Sequence, residues 1–185
     1  MSTTTMEIPA KTGARVKAST PIYGDILDFL IDDAAMLDDD RHAEWLNSLA
    51  DDVVYTMPVR KTLRRRDGKG FDEQGYHLND NRQTLAMRVQ RTLEVPSAPD
   101  RDPAPRIKRL VTNLVVHETG VPDEYAATTY LLLMRNRFEA PSYDMLTAKR
   151  EDIIRREANG TLKLARRLIQ VDQSALGTVY INVFM

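Results

Sequence analysis

The chain has 185 residues and a formal net charge of −1, since 26 basic residues nearly balance 27 acidic ones. A chain of this length, 42% hydrophobic, can form one compact domain with one core. The charge balance gives no overall field that would attract a polyanion such as nucleic acid. Cysteine is absent, which excludes disulfides, a thiol nucleophile and an iron–sulfur cluster ligated by this chain alone.

The first segment, residues 1–21, is predicted to be a flexible arm. It is polar, and it contains Pro9 and Pro21. It lacks the apolar core of a secretory signal, and no stretch of the chain approaches the roughly 20 apolar residues that cross a bilayer. We therefore expect a cytoplasmic protein whose single folded domain spans residues 22–185.

A helix is predicted to open this domain. From Ile22 to Leu37, apolar residues recur at three- and four-residue spacing, with one acid, Asp33, inside the apolar stripe. Such a stripe indicates a helix with one face turned towards a core.

A short second helix and a strand are predicted next. Asp40 can cap a helix over Arg41–Leu46, with Trp45 on its inner face. The run Val53–Val59 is rich in β-branched residues and predicts a strand. The charged, glycine-containing segment Lys61–Gly75 is interpreted as a mobile loop.

The third predicted helix covers Asn81–Leu93. Asn79 or Asp80 can cap it, and Leu85 and Val89 lie on its apolar stripe. Four prolines between residues 95 and 105 end the helical part of the chain.

The rest of the chain is predicted to be a meander of long strands. They cover Arg106–Glu118, Tyr125–Arg137, Met145–Arg156 and Leu162–Val171, with turn signals at Gly120–Asp123 and Asn159–Gly160 and a short apolar end at Val179–Met185. Helices gathered ahead of an antiparallel sheet indicate an α+β domain and exclude a βαβ arrangement.

Five segments of the chain, in this order and spacing, resemble the small β subunits of Rieske-type aromatic-ring-hydroxylating dioxygenases. They are Ala35–Asp38, Glu44–Pro58, Asp80–Arg91, Arg109–Leu114 and Ala165–Asp172. The likeness covers Asp25–Met185. One family feature, a Trp-x-Glu-x-Pro stretch after the third helix, is reduced here to Glu94-Val95-Pro96, so that loop is expected to be remodelled.

The resemblance implies a fold and a partnership. The fold would be the NTF2-like cone, a curved antiparallel sheet with the N-terminal helices packed in its concave face. The partner would be a catalytic α subunit that holds a Rieske [2Fe–2S] cluster and a mononuclear iron, in an α3β3 hexamer with other β subunits around a three-fold axis. NAD(P)H would supply electrons through separate components, and the complex would cis-dihydroxylate an aromatic hydrocarbon such as naphthalene or another polycyclic compound. This chain would hold no catalytic residue, cofactor or metal.

Charged residues of both signs alternate along the last two predicted strands. Such mixed charge is typical of a polar interface that uses charge to set its register. We therefore expect six residues to lie at a subunit interface: Arg150, Asp152, Arg155, Arg156, Arg166 and Arg167.

Two alternatives remain open. A metal site would have to use His42, His77 and His117, none of which has a partner at metal-ligand spacing. A stand-alone NTF2-like isomerase or dehydratase would need an acid–base pocket. Its lining would come from Asp38, Tyr55, His117 and Tyr130, for each of which a helix-end or packing role is simpler. Met134 and Met145 are interpreted as packing residues.

Overall fold

The structure, a computed structural model, describes residues 13–64, 66, 68, 70–94, 104–177 and 184–185. In this part of the chain three helices and seven strands follow one another. They are β1 (Arg15–Val16), α1 (Pro21–Asp38), α2 (His42–Asn47), β2 (Leu49–Arg60), β3 (Phe71–Asn81), α3 (Arg82–Glu94), β4 (Arg106–Glu118), β5 (Glu124–Asn136), β6 (Asp144–Arg156) and β7 (Leu162–Val171). None of the described helices is long and apolar enough to cross a membrane.

All seven strands join one sheet in the order β1-β4-β5-β6-β7-β2-β3. The α+β class and the long strands are confirmed. The sheet is mixed, however, because β2 and β7 run parallel while the other pairs are antiparallel. The sequence predicts antiparallel pairing between strands that follow one another along the chain. The parallel pair joins β2 to β7, which are separated in sequence by β3, α3 and β4 to β6.

A bulge in β4 bends the sheet around α1. The pairing of β4 with β5 shifts register between Thr112 and Val115, and Asn113 within the shift has a left-handed φ of 57°. Asparagine tolerates this conformation better than most residues. The Tyr23 hydroxyl on α1 donates a hydrogen bond of 3.0 Å to the carbonyl of Leu114. The bulge is therefore tied to the helix that it curves around.

The core lies between α1 and the concave face of the sheet. The helix buries Ile26, Leu30, Ala34 and Leu37. The sheet contributes, among others, Leu131, Leu133, Leu146, Ala148 and Ile154. The predicted burial of Trp45, Leu85 and Val89 is confirmed, and Leu49 is buried with them, since each is at most 4% exposed.

Two segments predicted to be flexible are partly built into the sheet. Arg15 and Val16 of the predicted arm pair with β4, Val16 is buried, and Pro21 is already the first residue of α1. The arm prediction therefore does not hold from residue 13 onward, and its earlier part lies outside the described residues. The overall polar composition of the segment did not reveal that one apolar side chain, Val16, packs against the edge of the sheet.

The predicted loop Lys61–Gly75 is wrong from Phe71 onward, where β3 begins and pairs with β2. The Lys61 amide donates to the Gly70 carbonyl at 2.8 Å, which closes the connection between the two strands. Gly70 has a φ of +77°, and a Cβ there would lie 2.8 Å from the Lys61 carbonyl oxygen. The glycine that suggested mobility is required by a close backbone approach.

The predicted helix caps fall one or two residues early. Arg41, without a side-chain cap, precedes α2, and Asp40 has a left-handed φ of 57°. At α3, Asn81 and Thr84 exchange hydrogen bonds of 2.9 and 3.0 Å between side chain and main-chain amide. This reciprocal pair supplies the capping that was assigned to Asn79 or Asp80. The predicted apolar end at 179–183 lies outside the described residues, while Phe184 and Met185 are buried.

The bulge predicts a graded response at Asn113. A β-branched residue is strained in the left-handed region, so Asn113→Val is expected to lower the free energy of unfolding by about 1 to 2 kcal/mol. Asn113→Gly, which adopts this φ freely, is expected to lower it less. Urea denaturation measures both, with Thr112→Val in the extended part of the strand as the control. Equal losses for the Val and Gly variants would contradict the bulge.

Candidate functional site

A buried carboxylate lies at the centre of the cone. Asp33 projects from α1 into the core and is 0% exposed. Its Oδ1 accepts a hydrogen bond of 2.9 Å from Trp45 Nε1, and its Oδ2 accepts one of 2.9 Å from Arg167 Nη1. Asp33, the acid within the apolar stripe of α1, therefore faces inward and forms an ion pair with an arginine.

The sheet supplies the partners of this carboxylate. Asp152 and Arg167 are direct cross-strand neighbours on β6 and β7. Arg167 Nε and Nη2 each donate a 3.0 Å hydrogen bond to one oxygen of Asp152, which is the two-pronged geometry that arginine favours. One guanidinium thus joins α1 to both strands.

A second arginine completes the charge balance. Arg150 lies two residues before Asp152 on the same face of β6 and is 0% exposed. Its Nη1 is 3.6 Å from Asp33 Oδ2, and its Nε donates to Thr129 Oγ1 at 3.3 Å. Within the described part of the chain, its Nη atoms have no hydrogen-bond acceptor. The network therefore pairs two aspartates with two arginines, of which Arg150 is the less completely bonded.

Phe184 and Met185 lie buried beside this network. The Tyr55 hydroxyl accepts a 2.7 Å hydrogen bond from the Met185 amide and donates one to its main-chain oxygen, which Arg167 also binds at 3.1 Å. The Phe184 ring lies 4.6 Å from the Trp45 ring. These contacts place the two residues against the side chains of Tyr55, Arg167 and Trp45.

A second ion pair secures Phe184. Arg109 on β4, itself buried, is paired with Asp38 at the end of α1. The Arg109 main-chain amide also donates to Asp38 Oδ2 at 3.0 Å. From the same side chain, Nε and Nη2 donate to the Phe184 carbonyl at 3.0 and 2.8 Å. The pair links the last turn of α1 to the buried segment.

The electrostatics of this interior favour fixed charges. Burial raises the pKa of Asp33, but the positive charges of Arg167 and Arg150 outweigh it and hold that pKa below its ordinary value. Burial lowers the pKa of Arg167, and Asp152 and Asp33 more than reverse the shift. Burial raises the pKa of Tyr55. Each of these groups therefore keeps one protonation state around neutral pH, which does not suit general acid–base catalysis.

The residues of the alternative acid–base pocket do not share a cavity. Asp38 and Tyr55 lie inside the cone and bind Arg109 and Met185. His117 pairs with Ala126 on the opposite face of the sheet, and Tyr130 is 50% exposed there. The structure does not bring the four residues together.

The three histidines lie on separate elements: His42 on α2, His77 on β3 and His117 on β4. Among the described residues, no group of three or more His, Asp or Glu side chains is arranged to hold a metal ion.

Three of the six predicted interface residues are buried within the chain, and this corrects their assignment. Arg150, Asp152 and Arg167 are at most 2% exposed. Their side chains point to the concave face and neutralise one another and Asp33, so they cannot touch another subunit. The sequence of a strand with charges of both signs does not show whether the oppositely charged partners lie in another subunit or in the core of the same chain.

The other three predicted interface residues reach the surface. Arg155 donates to both oxygens of Asp52 at 2.8 and 3.1 Å and to Glu124 at 2.8 Å. Arg156 binds Asp25 of α1 at 2.7 Å, and Arg166 is exposed. For these three residues the interface assignment stays a prediction.

An open polar groove of about 400 Å³ lies where the β6–β7 turn approaches α2 and α3, with Asp51 and Asn159 in its lining. Its cations are already engaged. Arg82 Nη1 donates to the carbonyls of Leu46 and Leu49 at 2.9 and 2.8 Å, and Lys163 binds the carbonyl of Asn47. The groove is therefore a junction between elements whose positive groups serve the fold.

Comparison with known proteins gives the same family at several levels. The sequence model of the ring hydroxylating beta subunit family matches residues 32–178. The β subunit of biphenyl 2,3-dioxygenase from Rhodococcus jostii is 30% identical over 78% of each chain. The β subunit of 3-phenylpropionate/cinnamic acid dioxygenase from Photorhabdus laumondii is 31% identical over 86% of this chain and 89% of its own.

Solved structures agree. A chain of naphthalene 1,2-dioxygenase with indole bound in its active site superposes with a TM-score of 0.75 and 25% identity, covering 86% of this chain and 83% of its own. A Nostoc punctiforme protein with a cystatin-like fold superposes with a TM-score of 0.54 and 18% identity, covering 84% of this chain and 95% of its own. The predicted NTF2-like cone is confirmed.

The buried network predicts that Asp33 stabilises the fold and makes its stability depend on pH. Asp33→Asn removes the charge between two buried arginines and is expected to lower the free energy of unfolding by about 3 to 5 kcal/mol. Because the folded-state pKa of Asp33 lies below its unfolded value, its contribution is present above the unfolded pKa of about 4 and is lost as pH falls through the folded pKa. Urea denaturation between about pH 3 and 7 measures both effects.

Asp28→Asn, on the exposed face of the same helix, is the matched control and is expected to change stability by less than about 0.5 kcal/mol. If the two variants had the same stability and the same acid dependence, Asp33 would not be the centre of the network.

Proposed function

Because the chain belongs to the ring hydroxylating β subunit family, we propose that it is the structural small subunit of an α3β3 aromatic-ring dioxygenase. Family membership makes it the non-catalytic component of a multicomponent oxygenase that has a catalytic α subunit. The hexameric stoichiometry, the location of the cofactors and the substrate are parts of the proposal.

The observation that carries the structural role is the hydrogen bonding of buried polar side chains to one another inside the cone. Asp33, Tyr55 and Arg167 are at most 1% exposed. Arg167 binds Asp33, and both Arg167 and Tyr55 bind the main chain of Met185. Their hydrogen bonds are made within the chain, and none of the three is exposed to bind a substrate. This supports a subunit whose contribution is its surface.

The proposed cofactors are a Rieske [2Fe–2S] cluster and a mononuclear iron in the α subunit. A Rieske centre needs two cysteines and two histidines, and this chain has no cysteine. A mononuclear iron site needs two histidines and a carboxylate on one face, whereas His42, His77 and His117 lie on three separate elements. The residues of this chain do not fit either group.

The proposed reaction is cis-dihydroxylation of an aromatic hydrocarbon in the cytoplasm, with NAD(P)H supplying electrons through separate components. Relatives bear the names of biphenyl, benzene and 3-phenylpropionate dioxygenases. We favour naphthalene or another polycyclic hydrocarbon because naphthalene 1,2-dioxygenase superposes over 86% of this chain. The surface arginines Arg155, Arg156 and Arg166 are proposed to contact neighbouring subunits.

The proposal predicts a division of metal between the subunits. Purified alone, this chain is expected to be colourless and to contain no stoichiometric iron, because it lacks the ligands. Co-expressed with an α subunit, it is expected to co-purify in equal amounts as a red-brown complex that forms a cis-dihydrodiol. Elemental analysis, visible absorption and product chromatography measure these outcomes. Stoichiometric iron in the isolated chain, or turnover of a substrate by that chain alone, would refute the structural role.

A further inference from the structure

The two edges of the sheet are closed in different ways. At one edge, β3 interrupts its own pairing, because residues 72–75 lie between the partners of Pro58 and Arg60 on β2. The Asp72 side chain accepts a hydrogen bond of 3.1 Å from the Gln74 amide within this bulge. Bulges and charged side chains both discourage the addition of a further strand. This edge is therefore protected by its own sequence.

The other edge, β4, is covered by segments that precede it in the chain. Before its bulge the cover is α1, since the Arg109 amide donates to Asp38 at 3.0 Å and the Leu114 carbonyl accepts from Tyr23 at 3.0 Å. After the bulge, the strand that pairs with the outer side of β4 in the described part of the chain is β1. We define residues 13–16 as the strap.

A short ladder and one buried side chain hold the strap in place. The Gly13 amide donates to the Glu118 carbonyl at 3.1 Å, and the Glu118 amide donates to the Ala14 carbonyl at 3.0 Å. Val16 pairs with Val116 and is 8% exposed, so its side chain joins the core. The main-chain groups of β4 at position 118 are therefore satisfied by the strap.

Gly13 allows the strap to approach β4 this closely. A Cβ at this position would lie 2.5 Å from the carbonyl oxygen of Glu118 and 2.8 Å from its carbonyl carbon. Both atoms belong to the backbone of a paired strand, which cannot yield as the end of a flexible side chain can. A residue with a side chain at position 13 therefore has to move the strap away from the edge.

The strap can leave the edge without unpacking α1. A turn joins the two, in which the Thr20 amide donates to the Lys17 carbonyl at 3.0 Å. The helix has its own anchors in the core, since Ile26 and Leu30 are 0% exposed. Opening of the strap is therefore a local event, in contrast to loss of the α1 cover, which would break the buried pair of Asp38 with Arg109.

We propose that the strap is a displaceable cover over a strand-binding edge, and that Gly13 sets how firmly it closes. An uncovered edge strand presents unpaired main-chain groups, which accept an extended peptide as an additional strand. The occupant that fits is an extended peptide with a small residue opposite Glu118 and a β-branched residue opposite Val116, because Gly13 and Val16 hold those places in the strap.

Amide hydrogen exchange of the full chain tests the opening of the strap. In Gly13→Ala the Glu118 amide is expected to exchange at least about tenfold faster than in the unsubstituted chain, because it loses its bond to Ala14. Amides of β5 and β6 are expected to keep their rates, since the opening is local. Gly24→Ala on α1 is the matched control and is expected to change neither, because a Cβ there meets no atom within 4 Å.

A peptide with the sequence of residues 12–18, blocked at both ends, probes the opened edge. Fluorescence anisotropy of the labelled peptide is expected to show binding to Gly13→Ala at least about tenfold tighter than to the unsubstituted chain or to Gly24→Ala. The bound peptide is expected to slow exchange of the Glu118 amide again. A peptide of the same composition in scrambled order is expected to do neither.

Val16→Ser is a second way to open the strap, since it removes the buried side chain and leaves Gly13 in place. It is expected to give the same two results, and it decides the matter if Gly13→Ala does not fold. Exchange of the Glu118 amide at the rate of the Gly24→Ala control in the folded strap variants would overturn the proposal. Faster exchange without binding of the peptide would overturn it as well. Both readouts are independent of an α subunit and therefore of the proposed function.

Discussion

The architecture depends on the interaction of Asp33 with Arg167. An ionised carboxylate in a core is costly unless it is paired and hydrogen-bonded, and Asp33 meets both conditions through Arg167 and Trp45. Arg167 reaches Asp152 on the neighbouring strand at the same time. Replacing such a pair by apolar residues is often neutral for stability. We expect the charges to contribute register here, because Arg167 contacts Asp33 on α1 and Asp152 on β6 at the same time.

The same network gives a structural role to several of the segments that resemble the β subunit family, in a subunit that is not catalytic. Trp45, Tyr55, Arg109 and Arg167 come from three of those segments, and each bonds to a buried aspartate or to the Phe184–Met185 segment. Their polar groups form hydrogen bonds inside the cone. Contacts with other proteins therefore have to come from the surface, where Leu110, Tyr130 and Met145 are about half exposed.

Local patterns in the sequence were sufficient for the three helices, for β2 and for β4 to β7, but not for β1, for β3 or for the location of the charges. The bounds of β4 and β7 follow from hydrophobic content and turn signals, because both act between near neighbours. Arg150 and Asp152 were placed at an interface, since a charged strand gives no sign of what lies above its concave face. The one available signal was Asp33, an acid inside an apolar stripe, which called for a buried cation. The parallel β2–β7 pair depends on contacts too distant in sequence for any local pattern.

The most direct test is the turnover of an assembled oxygenase that carries Tyr55→Phe in this subunit. The substitution removes the hydroxyl that binds both main-chain groups of Met185, so the fold should be less stable to urea. Product formation per assembled complex should stay within about twofold of the unsubstituted enzyme, because no reacting atom is touched. A fall of about a hundredfold or more per assembled complex, the loss expected when a general acid or base is removed, would contradict a purely structural interior.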